Sequence, residues 1–346
     1  MTIDKDEFAN KEGMKKVLVV GAGGFAGGFI VEEGLRRGYE VYAGVRQSTS
    51  RAYLTDEITF VNFDFDDPES LSKTLEESMP GETKWDWIVY NLGATKAISF
   101  SDFSKINYDY LKTFLEALKK SGKVPEKFLL MSSLSVHGPT HEKDNAKFKE
   151  SDIPSPNTKY GASKLKAEML LQMEGIPYII FRPTGIYGPR DKDYFLMFKS
   201  IRSGFDFSAG YKKQLLTFIY VEDLARAVYD ALEKAPTGNT YLISEDKSYT
   251  QKEFRRLAMQ ALEKKTVLSF PMPLWIVKTV SGIAEKWGVA RMKPSTLNRD
   301  KYNIMKQRNW DVDVSKAKND FGFNPKVNLS EGVRKAVEWY KNEKWL

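Results

Sequence analysis

The sequence contains no cysteine and only two histidines, His137 and His141, in 346 residues. Without cysteine the protein has no disulfides, no thiolate metal site and no cysteine nucleophile. Two histidines are too few for an ordinary zinc site and leave little scope for a Ser-His-Asp triad. The composition therefore predicts a protein without a metal.

Long apolar runs are also missing. The longest run in the C-terminal third, Leu274–Val277, is interrupted by Lys278 and is far too short to cross a bilayer. Residues 1–16 are polar and mixed in charge, without the apolar core of a secretory signal. We expect no transmembrane segment and a cytoplasmic location.

The charge pattern argues against nucleic acid as a partner. The net charge is +7, but the basic residues occur singly or in pairs and never as a block. No RNA- or DNA-binding motif accompanies them. A solvated surface with a small phosphate-bearing ligand is the favoured interpretation.

Short apolar runs alternate with segments of helical periodicity over the first 245 residues. The apolar runs are Val17–Val20, Val41–Val45, Ile58–Asp64, Trp87–Tyr90, Phe128–Met131, Tyr178–Phe181 and Thr240–Ile243. The helical segments between them are Phe25–Arg37, Pro68–Glu77, Phe103–Lys120, Tyr160–Met173 and Asp223–Lys234. This alternation predicts an α/β fold with a doubly wound parallel sheet of the Rossmann type, because strands buried on both faces are almost wholly apolar.

Two stretches break the alternation and predict a smaller substrate-binding lobe. They are residues 183–216 and 247–346, whereas 14–182 and 217–246 form the predicted nucleotide-binding domain. In the second stretch Phe270–Pro273 predicts a proline-rich turn. A helix follows, with an apolar stripe at Ile276, Val280, Ile283 and Trp287. The stripe fits a wall over a hydrophobic substrate, a membrane-surface contact, or plain packing of the lobe.

A glycine-rich turn follows the first apolar run and opens the first helix. Two registers fit it, Gly21-x-Gly23-x-x-Ala26 and Gly21-x-x-Gly24-x-x-Gly27, with Phe25 between them. Either register lets the backbone approach a pyrophosphate at a helix N-terminus. At the first β–α junction this pattern predicts a bound dinucleotide.

The residue that ends the second strand favours NADP(H), with NAD as the alternative. NAD enzymes usually place an acid there for the adenosine ribose, but this chain has Arg46, near Ser48 and Arg51. A guanidinium pairs well with a 2′-phosphate. After the third strand, Asp64 and Phe65 are candidates to meet the adenine, although Asp64 fits a helix cap equally well.

The candidate catalytic residues are Ser133, Tyr160 and Lys164. Tyr160 and Lys164 are four residues apart and so share one face of a helix. A nearby ammonium favours the phenolate and lowers the pKa of tyrosine from about 10 toward neutrality. The same spacing recurs at Tyr108/Lys112, Tyr302/Lys306 and Tyr340/Lys344. Only Tyr160 opens a helix that follows an apolar strand ending in serine.

Together these motifs resemble the extended short-chain dehydrogenase/reductase family, also called the NAD-dependent epimerase/dehydratase superfamily. The resemblance covers nearly the whole chain. It implies that Tyr160 is the acid/base, that Lys164 binds the nicotinamide ribose and tunes Tyr160, and that Ser133 positions the substrate oxygen. It also implies that Asn107 supports the lysine. Further cofactor contacts implied by the resemblance are Leu92, Gly93, Ala94, Pro183, Gly185 and Ile186.

Within that family the chain looks most like the 3β-hydroxysteroid dehydrogenase and dihydroflavonol reductase branch, through the segment Phe181–Asp191 and the tail around Trp310–Pro325. Two departures separate it from sugar-nucleotide enzymes. Leu134 and Ser135 stand where 4,6-dehydratases carry an acidic pair, and Gly185 stands where many epimerases have Asn. His137 replaces the family's usual Tyr and is expected to touch the edge of the pocket.

The resulting expectation is an NADP(H)-dependent oxidoreductase that interconverts a secondary alcohol and a ketone on a small apolar, steroid- or flavonoid-like substrate. A nucleotide-sugar epimerase with tightly bound NAD(P) is the first alternative. A non-catalytic NADP(H)-sensing or RNA-associated relative is the second. A homodimer is left open as the assembly.

Overall fold

The computed structural model describes residues 13–346. Residues 1–12, which carry most of the sequence on which the expectation of no secretory signal rests, lie outside the described part. Within the described part no helix combines the length and apolar character needed to cross a bilayer.

A parallel seven-stranded sheet forms the centre of the molecule, in the order β10-β6-β5-β4-β1-β2-β3. Its strands are β1 (Lys16–Val20), β2 (Glu40–Val45), β3 (Thr59–Asn62), β4 (Trp87–Tyr90), β5 (Lys127–Met131), β6 (Tyr178–Pro183) and β10 (Asn239–Ile243). Each of the seven predicted apolar runs contributes one of these strands, and all the strand pairs are parallel. The predicted doubly wound α/β fold is confirmed.

Helices cover both faces of this sheet. The helices are α1 (Phe25–Arg36), α2 (Pro68–Ser78), α3 (Phe100–Ser104), α4 (Tyr110–Lys120), α5 (Lys159–Met173), α6 (Asp193–Arg202), α7 (Val221–Lys234), α8 (Gln251–Ala261), α9 (Leu274–Ala290), α10 (Arg299–Lys306), α11 (Ser315–Phe321) and α12 (Leu329–Asn342). Successive residues of β1 face opposite cores: Val17 and Val19 pack with α1 and α7, whereas Leu18 and Val20 pack with α2, α4 and α5. The apolar character of β1 follows from this burial on both faces.

Two smaller sheets lie outside the main one. Strands β7 (Gly185–Tyr187), β9 (Leu215–Tyr220) and β11 (Ser248–Thr250) form one, and β8 (Phe205–Ala209) pairs in parallel with β12 (Leu268–Met272) in the other. The prediction of a turn at Phe270–Pro273 is wrong, because Phe270, Pro271 and Met272 belong to β12. A two-stranded sheet consists only of edge strands, where a proline without an N–H is tolerated. The division into two domains stays a prediction.

Helix α9 turns its apolar stripe outward. Its buried residues are Val277 and Ser281, which are 7% and 0% exposed. Along the stripe, Val280, Ile283 and Trp287 are 46%, 56% and 62% exposed. Packing of the small lobe therefore does not account for the stripe.

Candidate active site

The glycine loop between β1 and α1 brings backbone close to backbone. Gly21 has a φ of +85°, and a Cβ there would lie 2.9 Å from the amide nitrogen of Leu92. Gly24 is the N-cap of α1 and supplies no side-chain cap. A Cβ at Gly27 would overlap the carbonyl oxygen of Gly21, so the helix can pack on the turn only with glycine there. The register Gly21-x-x-Gly24-x-x-Gly27 therefore accounts for the local structure: Gly21 forms the turn, Gly24 starts the helix and Gly27 permits the close packing of helix on turn.

The start of α1 has the features of an anion site. Neither Gly24 nor another side chain caps it, and its first turn holds no acidic residue. Phe25 and Ala26 begin the helix, so their N–H groups point out of its positive end. Gly23 lies under the loop after β2, where a Cβ would collide with the Thr49 methyl group. A dinucleotide pyrophosphate fits this cradle, and the chain's own backbone would hold it.

Arg46 directly follows β2, in the loop that contacts Gly23. Its backbone N–H donates to Thr49 Oγ1 at 3.1 Å, and its guanidinium is exposed, with no hydrogen bond or ion pair to any residue in 13–346. Arg51 is engaged, because it donates to Asn62 Oδ1 at 3.1 Å and lies 4.2 Å from the centroid of the Phe60 ring. Arg46 is therefore the cation that remains available to a ligand phosphate.

The two residues after β3 differ in what they offer a cofactor. Asp67, rather than Asp64, caps α2, since its carboxylate accepts hydrogen bonds from residues in the first turn. Asp64 accepts only the N–H of Asp66, at 3.0 Å. Phe65 is 5% exposed and stacks on Tyr110 with centroids 5.2 Å apart. Asp64 is thus free of the cap role, whereas Phe65 can offer a cofactor only its backbone.

Asn107 lies in a π-helical segment, Lys105–Asp109, between α3 and α4. Its Oδ1 accepts the N–H of Ala94 at 2.8 Å, and its Nδ2 donates to the carbonyl of Ala94 at 3.2 Å and to Ser163 Oγ at 2.8 Å. Ser163 in turn donates to the carbonyl of Tyr160 at 2.7 Å. Asn107 therefore ties the loop after β4 to the helix that carries Tyr160, as π-bulges at functional sites often do.

Lys164 lies close to Asn107 but forms its hydrogen bond with a different residue. Its Nζ donates to the carbonyl of Met131 at 2.8 Å. A Cβ at Gly93 would lie 2.8 Å from Lys164 Nζ and 3.1 Å from Asn107 Oδ1. The lack of a side chain at Gly93 thus leaves room for the ammonium near the carboxyl ends of the strands, where ligands bind in doubly wound sheets. No direct hydrogen bond joins Asn107 to Lys164.

Burial shifts the pKa values of both catalytic candidates. It lowers the pKa of Lys164 to about 8, and the carboxylate of Glu168 acts in the opposite direction. Burial raises the pKa of the Tyr160 phenol, which the Ser133 hydroxyl counteracts through hydrogen bonding. The ammonium of Lys164 is meanwhile engaged by the carbonyl of Met131.

A buried charged network lies behind Lys164. Glu168, one turn along α5, receives two N–H groups of Arg182, with the shortest contact at 2.6 Å, and the hydroxyl of Ser132. On its other side Arg182 donates to His137 Nε2 at 3.0 Å. The sequence holds one signal for this network. Glu168 is an acid four residues after Lys164, and Arg182 is a basic residue in the apolar run that becomes β6.

His137 belongs to this network and does not touch the edge of a pocket, which corrects the prediction. It is 0% exposed. Burial and the neighbouring Arg182 lower the pKa of His137 to about 4, so the ring is neutral at physiological pH. Because Nε2 accepts from Arg182, the ring proton lies on Nδ1.

A cleft next to Tyr160 separates the sheet domain from α9 and α10. Its walls mix apolar and charged side chains: Ala97, Ile98, Phe103, Lys159, Glu285, Gly288, Val289, Lys293, Pro294, Ser295, Asn298 and Asp300. Lys159 and Glu285 pair across it at 3.2 Å. This is where the small lobe meets the helix of the catalytic candidates.

The segment after β6 also faces the site. Pro183 ends β6, and Gly185 and Ile186 form β7. A Cβ at Gly185 would collide with the hydroxyl of Tyr194. The phenol of Tyr194 thus fills the space in which a side chain at position 185 would start.

No cluster of three or more metal-ligating side chains occurs in residues 13–346. A glycine cradle at the first β–α junction, with Ser133 after β5 and Tyr160 and Lys164 on α5, is the residue pattern of a nicotinamide-dependent enzyme of the short-chain dehydrogenase/reductase type. Residues 17–244 match the model of the NAD dependent epimerase/dehydratase family, and the chain belongs to that family.

Individual relatives show a range of activities. The chain is 25% identical over 368 residues to a dTDP-glucose 4,6-dehydratase of Neisseria gonorrhoeae, covering 96% of this chain and 97% of that one. It is 23% identical over 334 residues to a ceramide reductase of Caulobacter vibrioides, covering 95% and 96%. The fold is similar to that of a Thermus thermophilus UDP-glucose 4-epimerase in complex with NAD, with a TM-score of 0.74, 21% identity and coverage of 94% and 99%. These relatives do not single out the steroid dehydrogenase and flavonol reductase branch.

Proposed function

We propose that this protein is an NADP(H)-dependent oxidoreductase that reduces a ketone on an apolar, lipid-like substrate. The observation that carries the proposal is the phenol of Tyr194 over Gly185. Many sugar-nucleotide epimerases have Asn at this position, and here no side chain fits without moving Tyr194. The likeness to a ceramide reductase supports a long-chain substrate.

The cations around the site also fit poorly with a second pyrophosphate. Arg190 pairs with Glu32 at 2.7 Å, and its guanidinium lies 4.5 and 4.7 Å from the ring centroids of Phe29 and Tyr53. Lys192 is exposed at the start of α6. A nucleotide sugar needs paired cations at its diphosphate, and Arg190 is already committed to α1.

The residues after Ser133 argue against dehydration. Leu134 is 2% exposed and packs in the core, and the N–H of Ser135 donates to Ser133 Oγ at 3.2 Å. No acidic side chain follows the active-site hydroxyl to remove or return a proton in an elimination.

The chain's own groups can supply the proton and the hydrogen bond that reduction of a carbonyl needs. The glycine cradle would hold a reduced nicotinamide cofactor, which would supply the hydride. Tyr160 donates its phenolic proton to the developing alkoxide, and Ser133 holds that oxygen by a hydrogen bond. Lys164, when it turns from Met131 toward the site, stabilises the phenolate that is left.

A nucleotide-sugar epimerase or dehydratase is the second candidate function. The dehydratase and epimerase relatives favour it, and the related epimerase holds NAD. The same Ser133, Tyr160 and Lys164 can take a proton from a sugar hydroxyl, so these residues do not decide between the two functions.

The deciding experiment follows absorbance at 340 nm with purified protein. Substrates are a long-chain keto-amide of the ceramide type, a 3-ketosteroid, a dihydroflavonol, UDP-glucose and dTDP-glucose. We expect stoichiometric NADPH oxidation with an apolar ketone and no change in either sugar. Conversion of a nucleotide sugar without net change in absorbance contradicts the proposal and supports the epimerase or dehydratase instead. Cofactor binding without turnover of any substrate favours a sensor.

A further inference from the structure

Several aromatic and aliphatic side chains on β8, β12 and α9 are exposed. On β8 and β12, Phe207 and Phe270 are 57% and 42% exposed, and their rings stack with centroids 5.7 Å apart. Strand β12 leads through Pro273 directly into α9, where Trp275 is 70% exposed. We call Phe207, Phe270, Trp275, Ile283 and Trp287 the apolar face. Single exposed apolar residues are ordinary, whereas several large ones on consecutive elements point to an interaction surface.

The charges around the apolar face are almost all of one sign. Residues 264–298 contain six basic residues and one acid, Glu285. The six basic residues are all exposed: Lys264, Lys265, Lys278, Lys286, Arg291 and Lys293. Glu285 turns inward, where it pairs with Lys159 at 3.2 Å and Arg299 at 3.5 Å. The exposed charged side chains of residues 264–298 are therefore all basic.

This surface leads into the cleft beside Tyr160. Val289, near the end of α9, is 52% exposed and also lines the cleft, together with Lys293. Arg291 lies 4.7 Å from the centroid of the Trp287 ring, between the apolar face and the cleft mouth. The end of α9 therefore belongs both to the exposed surface and to the lining of the cleft.

We propose that the apolar face rests on the surface of an anionic lipid bilayer. Exposed tryptophan and aliphatic side chains beside lysine and arginine have the composition of an interfacial helix, whose apolar side enters the headgroup region while its cations meet anionic lipids. A second copy of the chain is disfavoured as the occupant, because two such cationic surfaces repel each other. The proposal is independent of the reductase assignment, since it concerns binding without substrate.

The test measures co-flotation of the purified protein with vesicles of phosphatidylcholine alone and of phosphatidylcholine with 30–40% phosphatidylglycerol (about the charge density at which basic segments bind). We expect binding to the anionic vesicles that weakens at least tenfold as salt rises from roughly 0.05 to 0.5 M. Two of the seven tryptophans lie on the apolar face, so their emission should shift to the blue on binding.

Variants locate the contact. Trp275→Ser with Ile283→Ser should lower binding at least tenfold, and Lys278→Glu with Lys286→Glu should abolish the preference for anionic vesicles. Matched controls on other surfaces are Ile153→Ser, at a residue 84% exposed, and Lys84→Glu with Lys120→Glu; these should bind like the parent.

Three outcomes overturn the proposal. One is no flotation with anionic vesicles at low salt, and another is binding that the apolar-face variants leave unchanged. The third is a concentration-dependent dimer, seen by light scattering, that Trp275→Ser with Ile283→Ser dissociates while vesicles remain unbound. Ketone reduction in detergent remains measurable in each case, so failure of this proposal is distinguishable from failure of the proposed activity.

Discussion

The backbone N–H of Tyr160 donates a hydrogen bond to the carboxylate of Asp300, with the nitrogen and oxygen 3.1 Å apart. Asp300 lies in the first turn of α10, and Tyr160 lies in the first turn of α5. The Asp300 carboxylate thus satisfies an N–H that has no partner within α5, and its negative charge is favourable at the positive end of that helix. Helix α10 therefore helps to hold Tyr160, the proposed proton donor, in place.

Replacing Asp300 with Ala should loosen this anchor. We expect kcat/KM to fall about threefold to tenfold with the affinity for NADPH unchanged, because a hydrogen bond to a charged, partly exposed group contributes about 1 kcal/mol. Steady-state kinetics and cofactor titration measure the two effects. Asp56→Ala, at an exposed loop residue, is the control. A loss of cofactor affinity equal to the loss of kcat/KM would show that Asp300 acts elsewhere.

Arg46→Asp should reverse or erase a preference for NADPH over NADH. Among residues 13–346 the guanidinium has no hydrogen bond or ion pair, so it is available to a 2′-phosphate. Losing one charge-assisted hydrogen bond corresponds to about a tenfold to hundredfold weaker NADPH affinity. Arg51→Gln should have a smaller effect, because Arg51 already bonds to Asn62. Equal affinity of the parent for both cofactors would refute the assignment.

The rate should fall as pH rises through about 8. Burial lowers the pKa of Lys164 to that value, and the ammonium form exists below it. Since the Glu168 carboxylate favours the ammonium, Glu168→Gln should move the alkaline limb of kcat/KM to lower pH, while its amide oxygen still accepts from Arg182. Glu174→Gln, farther along the chain, should leave the limb in place. An unchanged limb in folded Glu168→Gln contradicts the role given to Glu168.

The folded state should lose stability as pH falls from about 6.5 to 4. Burial and Arg182 lower the pKa of His137 to about 4 in the fold, so the unfolded chain gains a proton first. The difference corresponds to about 3 kcal/mol. Urea unfolding of His137→Asn should show a flatter dependence over this range. A slope equal to that of the parent would exclude His137 as its source.

His141→Asn is the matched control, because the pKa of His141 is shifted in the direction opposite to that of His137. Burial acts to lower the pKa of His141, but hydrogen bonds with Asp152 and Asp144 outweigh it and the pKa is raised. A raised pKa contributes stability that is present below about 6.5 and is lost as pH rises through the folded value. Removing His141 should therefore leave the acid-side loss in place.

The main sheet could be predicted from the sequence because each strand is buried on both faces. Val17 to Val20, for example, are all at most 1% exposed, so the run is apolar at every position. The glycine loop could be located for a similar reason, since close backbone contacts at Gly21 and Gly27 admit no side chain.

Features set by tertiary contacts could not be predicted. The π-helical turn that places Asn107 depends on its bonds to Ala94 and Ser163, which are 13 and 56 residues away. The burial of His137 depends on Arg182, and strand pairing of Phe270 depends on Phe207 in β8. The apolar spacing of α9 can be read from the sequence. The sequence does not tell whether the stripe faces a core or solvent, because that depends on which residues the helix buries, here Val277 and Ser281.

The central claim is that Tyr160, alone among four tyrosines with the same spacing to a lysine, donates the proton. Tyr108→Phe, Tyr302→Phe and Tyr340→Phe are the matched controls. Tyr340→Phe should also lower stability, because the buried Tyr340 hydroxyl donates to the carbonyls of Gly188 and Asp191 at 3.0 and 2.9 Å.

Turnover of an apolar ketone by Tyr160→Phe, followed at 340 nm beside these controls, tests the claim most directly. We predict a loss of about 10²- to 10⁴-fold for Tyr160→Phe with NADPH affinity retained, the usual range for general acid catalysis. The three controls should stay within a few-fold of the parent rate. Parental turnover by Tyr160→Phe, or an equal loss in one of the controls, would contradict the account.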